Sequence, residues 1–149
     1  MRSEHRADPR GYVQAVAAQL AETGLGNGGA VAVERPGPPR RVLVIRLDSD
    51  FHWEAASLAD ADALRLEWDE ERGWALHEVH TVGHLHSTAY TYYALGLGLV
   101  PEPAEVAHVV RQFLADELIL GTGQGPRLRR SADDDADLER LLATYPPAG

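Results

Sequence analysis

From Ala63 to His80 the chain alternates apolar and polar residues in two runs. Leu64, Leu66 and Trp68 alternate with Arg65 and Glu67, and Trp74 and Leu76 open a second run beyond Asp69-Glu70-Glu71-Arg72-Gly73. A period of two puts alternate side chains on opposite faces of a strand, and a charged turn closed by glycine joins two such strands. The pattern predicts a β-hairpin with arms near 63–68 and 74–80 and a tryptophan on each arm, part of a half-buried antiparallel sheet.

The remaining periodicities frame that hairpin. Residues 1–8 are polar and read as a flexible start. Asp8-Pro9 reads as N-cap and first helical position, and Tyr12, Val13, Val16, Ala17 and Leu20 repeat at helical spacing until Gly24-Leu25-Gly26-Asn27-Gly28-Gly29 breaks the helix. Ala30–Glu34 reads as a short strand. Pro36-Gly37-Pro38-Pro39 makes a turn, and Val42-Leu43-Val44-Ile45 is the continuous apolar run of a strand covered on both faces. After an acidic connection and the hairpin, Ser87–Leu95, rich in Tyr and Thr, reads as another strand. Pro101-Glu102-Pro103 starts a second long helix, carried by Val106, Val109, Val110, Phe113, Leu114 and Leu118.

This order gives an α+β fold: a mainly antiparallel sheet of about five strands, with two long helices on one face. A single domain is expected over 9–120. Residues 121–149 are expected to form a linker and a short amphipathic helix through Leu138, Leu141 and Leu142, with Asp133–Asp135 as cap and first-turn acids. A stripe that short is not stable alone in water, so the tail helix must dock on its own domain, on a second copy, or on another chain.

Composition narrows the functional classes. With 14 basic and 23 acidic residues the net charge is −9, which disfavours nucleic acid and anionic membrane surfaces as partners. Cysteine is absent, so disulfides, thiolate nucleophiles and Cys-ligated zinc are excluded. No apolar run reaches membrane-spanning length, and Met1–Pro9 lacks the apolar core of a secretory signal, so a cytoplasmic location is expected. Lysine is absent, and Ala, Gly and Asp are abundant, the usage of a high-GC, actinobacterial genome.

Three clusters are candidates for chemistry. His77, His80, His84 and His86 fall within ten residues. His84 and His86 would share a strand face and His80 would approach from the other arm of a turn at Val82-Gly83, so that His80, His84 and His86 could hold a divalent metal such as zinc. His77 and His80 have opposite parity, and an unbroken strand would split them between faces; the competing reading is a solvated polar loop. Next, Asp48-Ser49-Asp50-Phe51-His52 follows the central strand and could supply a carboxylate, Asp50, and a general base, His52, against the alternative of a solvated acidic loop. Finally, Trp68 and Trp74 could pair across the hairpin or, exposed, stack on a ligand, while Tyr90 and Tyr92 share a face that would line a pocket and Tyr93 takes the other. The two glycine-rich stretches each follow a helix, the wrong context for a phosphate loop, and Arg127, Arg129 and Arg130 beside the second read as a solvated linker. Gly-x-Ser-x-Gly and helical His-Glu-x-x-His signatures are absent.

Three segments carry a resemblance: Gly11-Tyr12-Val13-Gln14-Ala15-Val16-Ala17, Leu66-Glu67-Trp68-Asp69-Glu70-Glu71-Arg72-Gly73-Trp74-Ala75-Leu76, and Val100-Pro101-Glu102-Pro103-Ala104-Glu105-Val106-Ala107. Together, over roughly 10–115, they resemble a small actinobacterial domain family of unknown function. The resemblance implies an α+β fold and assigns no activity or site residue. Two function classes are therefore expected. The first is a non-catalytic binding or accessory protein acting through its sheet face or tail helix on a protein partner or on a second copy. The alternative is a small enzyme of specialised metabolism, metal-dependent through His80, His84 and His86 or using His52 as acid/base, with a small-molecule ligand. The enzyme needs convergent, partly buried histidines. The binding protein needs an exposed apolar surface.

Overall fold

A computed structural model describes residues 7–23, 31–33, 41–47, 63–82, 87–123, 125–130 and 135–146, with the backbone alone described at 31–33, 81–82 and 87–90. The elements are α1 (Arg10–Glu22), β1 (Val31–Val33), β2 (Val42–Arg46), β3 (Ala63–Asp69), β4 (Gly73–Val82), β5 (Ser87–Ala94), α2 (Pro103–Leu114) and α3 (Ala136–Ala143). The strands form one sheet in the order β1-β2-β3-β4-β5, every neighbouring pair antiparallel. The expected α+β architecture is therefore the one found, and among the described residues no helix is long and apolar enough to cross a membrane.

Strand parity decides what each face of the sheet carries. Leu43, Trp68 and Trp74 lie in one cross-strand row, and Ile45, Leu66, Leu76 and Tyr93 in the next. These rows face the helices. With Tyr12, Val13, Val16 and Leu20 of α1, Val106, Val110, Phe113 and Leu114 of α2, and Leu138 and Leu142 of α3, they make one hydrophobic core. Each such side chain, fully buried, contributes about 1.5–3 kcal/mol. Val42 and Val44, on the opposite face, are buried too, as the unbroken apolar run of β2 requires.

The hairpin closes through a three-residue connection. Glu71 N–H donates to the Asp69 carboxylate at 2.7 Å, and Arg72 N–H to the Asp69 carbonyl at 3.2 Å. Gly73 then takes φ +85° beside Gly98, whose carbonyl oxygen would lie 2.2 Å from a Cβ at that position. Only glycine meets both demands. Pro9 has helical dihedrals, φ −76° and ψ −8°, and the Asp8 carboxylate accepts from Arg10 N–H at 2.9 Å, the bond an N-cap residue makes to the first turn.

An ion network fastens the tail. Glu70, in the hairpin turn, is 0% exposed and lies 3.1 Å from Arg41 and 2.8 Å from Arg129. Arg41 in turn reaches Glu139 of α3 at 2.6 Å and donates to the Ala7 carbonyl at 2.7 Å, while Ala7 N–H donates to Glu139 at 2.7 Å. Burial alone would raise the Glu70 carboxyl, but the hydrogen bonds and charge of Arg41, with Arg129, outweigh it and hold the group below its usual range. Ala7, near the end of the expected flexible start, is bonded into this network, and one expectation is corrected here: Arg129, with a side chain 7% exposed, is a buried ion-pair partner rather than part of a solvated linker. Of the three docking options for the tail helix, the one realised is its own domain: Leu138 and Leu142 enter the core, and Asp135 caps the helix by accepting from Leu138 N–H.

Candidate functional site

β4 runs unbroken from Gly73 to Val82, so its alternation is never reset and His77 and His80 lie on opposite faces of the sheet. Each meets a different environment.

On the helix-facing side, Glu78 has a side chain only 4% exposed, with His80 Nε2 at 3.3 Å from its Oε1. Tyr93, in the neighbouring row on β5, donates its hydroxyl to the same oxygen at 3.1 Å, and its ring packs on Phe113 of α2 at 5.0 Å. The carboxylate is thus held between a phenol and an imidazole, and His80, 30% exposed, is the member that meets solvent. Such an arrangement can orient an imidazole for proton transfer.

On the opposite face, His77 is buried, its ring edge-on to Tyr92 at 4.4 Å and 89°, with Nε2 3.6 Å from Glu67. Arg65 and Tyr92 flank it in register. Tyr92 therefore sits away from the helices, and Tyr93 is the tyrosine beneath one. Alternation separates the two tyrosines without saying which face the helices cover, and the structure puts Tyr93 on that face. Tyr90 pairs in register with Val79, and its side chain lies outside the described residues.

Trp68 and Trp74 are direct cross-strand partners, 0% and 3% exposed. Their N–H groups are satisfied inside the protein, Trp68 on the Leu99 carbonyl at 2.7 Å and Trp74 on the Tyr12 hydroxyl at 3.0 Å. They form a core pair rather than an exposed stacking platform.

Asp50, His52, His84 and His86 lie outside the described residues, so of the proposed metal set His80 alone can be placed. Among the described residues no group of three or more His, Asp or Glu side chains is arranged to hold a metal ion. Sequence reasoning missed Tyr93 as a partner of Glu78. The available signal was parity: residues 78 and 80 share a face, and pairing β4 with β5 brings 93 alongside.

The outer margin of the sheet has a different character. β5 is the last strand, and Leu95 N–H donates to the Trp74 carbonyl, which fixes which backbone groups of β5 point toward β4. They belong to the odd-numbered residues, and those of the even-numbered residues point outward. Gly123 takes two of the outward groups, donating to the Tyr92 carbonyl at 2.7 Å and accepting from Ala94 N–H at 3.1 Å. The chain reaching Gly123 passes through Leu118, Ile119 and Leu120, and Ile119 is 90% exposed.

No curated protein and no solved structure matches this chain. A family model does, over residues 12–112, from the first turn of α1 into the last turn of α2. That span contains all five strands and all but the two outermost residues of each long helix, and the chain belongs to DUF6292, a family of unknown function.

Proposed function

We propose that this chain is a non-catalytic binding protein whose partner contacts the outer margin of the sheet, along β5 and the Leu118–Gly123 segment. The observation that carries this reading is Ile119, a large aliphatic side chain 90% exposed, four residues before Gly123, which hydrogen-bonds the edge of β5. An isolated exposed apolar residue is ordinary. What makes a contact surface is that its segment reaches the outward-pointing backbone groups of β5 at Gly123, where a partner could bond the strand edge and cover the isoleucine together. The tail helix contributes less, since Leu138 and Leu142 are engaged in its own core. The test uses the full chain as bait in a lysate of its own source, beside Ile119→Asp. The reading expects a chain retained by the wild type and lost with the variant; retention of nothing, or retention indifferent to Ile119, contradicts it.

A second reading, a small enzyme, rests on the buried Glu78 between Tyr93 and His80. It requires a small molecule that binds beside His80 and loses affinity in His80→Ala, whereas the binding-protein reading leaves that variant's partner retention unchanged.

A further inference from the structure

The hairpin turn is strapped by residues 125–129, which engage Arg72, Glu71 and Glu70 in that order. Arg72 donates its Nε–H to the Gly125 carbonyl at 3.3 Å. Arg127 lies 3.4 Å from the Glu71 carboxylate. Leu128 N–H and Arg129 N–H both donate to the Glu71 carbonyl, at 2.6 and 3.3 Å. The Arg129 guanidinium donates to the Glu70 carboxylate at 2.8 Å. At the other end of the strap Gly125 lies against β5: its φ is +82°, and a Cβ there would come within 2.9 Å of the Ala94 methyl. Residues 125–129 belong to no helix or strand. The turn thus reads two arginines spaced i, i+2 with its two carboxylates, and the backbone between them with a carbonyl.

The seat and its occupant are built differently. The turn lies inside the 12–112 span of the family model, and the strap lies outside it. Glu70 is fully buried, whereas the Arg127 and Leu128 side chains are half-exposed. We propose that the turn Asp69–Gly73 is a recognition site for a basic Arg-x-Arg segment of a partner protein, and that Gly125–Arg129 is a built-in copy of that ligand which holds the site closed. Charge favours such a partner, since the chain carries −9 and the turn presents buried carboxylates. The site is also coupled to the tail helix. Glu70 is shared by Arg129 and Arg41, Arg41 holds Glu139 of α3, and Arg129 lies 3.7 Å from Asp135, the cap of that helix. An incoming arginine that takes Glu70 from Arg129 removes the cation beside Asp135, so occupation by the partner loosens α3. The tethered copy is present at a high effective concentration, which a free segment must overcome. This inference does not rest on the reading of the β5 margin, and Ile119 has no part in it.

The probe is a fluorescently labelled peptide of residues 122–131, titrated by anisotropy into the full chain and into full-length Gly125→Val. That substitution puts a branched side chain at φ +82° against Ala94, which lifts the strap and leaves Glu70, Glu71 and Arg72 unaltered. The variant is expected to bind the peptide about tenfold or more tightly than the wild type, because the site is no longer filled from within. Binding is expected to vanish when Arg129→Ala is made in the peptide, and to weaken as salt rises. In the wild type, millimolar peptide is expected to lower the hydrogen-exchange protection of α3. A folded Gly125→Val that binds the peptide no better than the wild type overturns the inference, and so does equal binding of a peptide with the same residues in scrambled order. Should Gly125→Val fail to fold, Arg127→Ala, altered at a half-exposed side chain, takes its place with the same expected and contrary results.

Discussion

Trp68 and Trp74 face one another across the β3–β4 hairpin and fasten it to two different parts of the molecule. Trp68 donates its indole N–H to the Leu99 carbonyl, at the entry to α2, and Trp74 donates to the Tyr12 hydroxyl of α1. Tyr12 passes the connection on, donating to the Pro101 carbonyl at 2.6 Å. Its ring also packs on both indoles and on Tyr145 beyond α3. One buried phenol thus joins both long helices, the hairpin and the tail.

Tyr12→Phe keeps the ring and deletes the hydroxyl. The Trp74 N–H and the Pro101 carbonyl would be left without this partner in the core, at a cost of about 1–3 kcal/mol. Urea denaturation should show the loss, with the fold retained.

Glu70 holds two arginines from its buried position. Removing it in Glu70→Ala leaves both without their shared carboxylate and should cost about 3–5 kcal/mol, measured by chemical denaturation.

The same carboxylate sets an acid limit. Its folded pKa is held below the ordinary 4.5, so its contribution is complete above that value and is lost as pH falls through the lower folded value. Stability of the wild type should fall on acidification below about pH 4.5. Glu70→Gln should start less stable and show a shallower fall over that range.

Gly11 marks the closest approach of α1 to the tail. A Cβ there would lie 1.8 Å from the Tyr145 carbonyl oxygen, which is backbone and cannot swing aside. Gly11→Ala should displace the C-terminal turn and cost about 1–3 kcal/mol. Hydrogen exchange should show protection lost first in α3, with the sheet still protected.

Much of this architecture was legible because it is local and periodic. The alternation from Leu64 to Leu76 sets the hairpin and the facing tryptophans, and the parity of His77 and His80 already separates them. What was not legible depends on pairings between distant segments. Arg129 looks like a solvated base in a polar tail, since its partner Glu70 lies 59 residues away. Glu78 reads as one more polar residue among histidines until the register brings Tyr93 beside it. Which tyrosine lies beneath a helix could not be read from alternation alone, because period two defines two faces without saying which one the helices cover.

The central claim is that the outer edge of β5 is a contact surface. Amide hydrogen exchange at Thr88 and Tyr90, compared with and without the chain that the full-length bait retains, addresses it most directly, because their N–H groups point away from β4. The account predicts that both amides gain protection when that chain is bound, while the inward amides of β5 stay as protected as before. Exchange at Thr88 and Tyr90 that the retained chain leaves unchanged would contradict it.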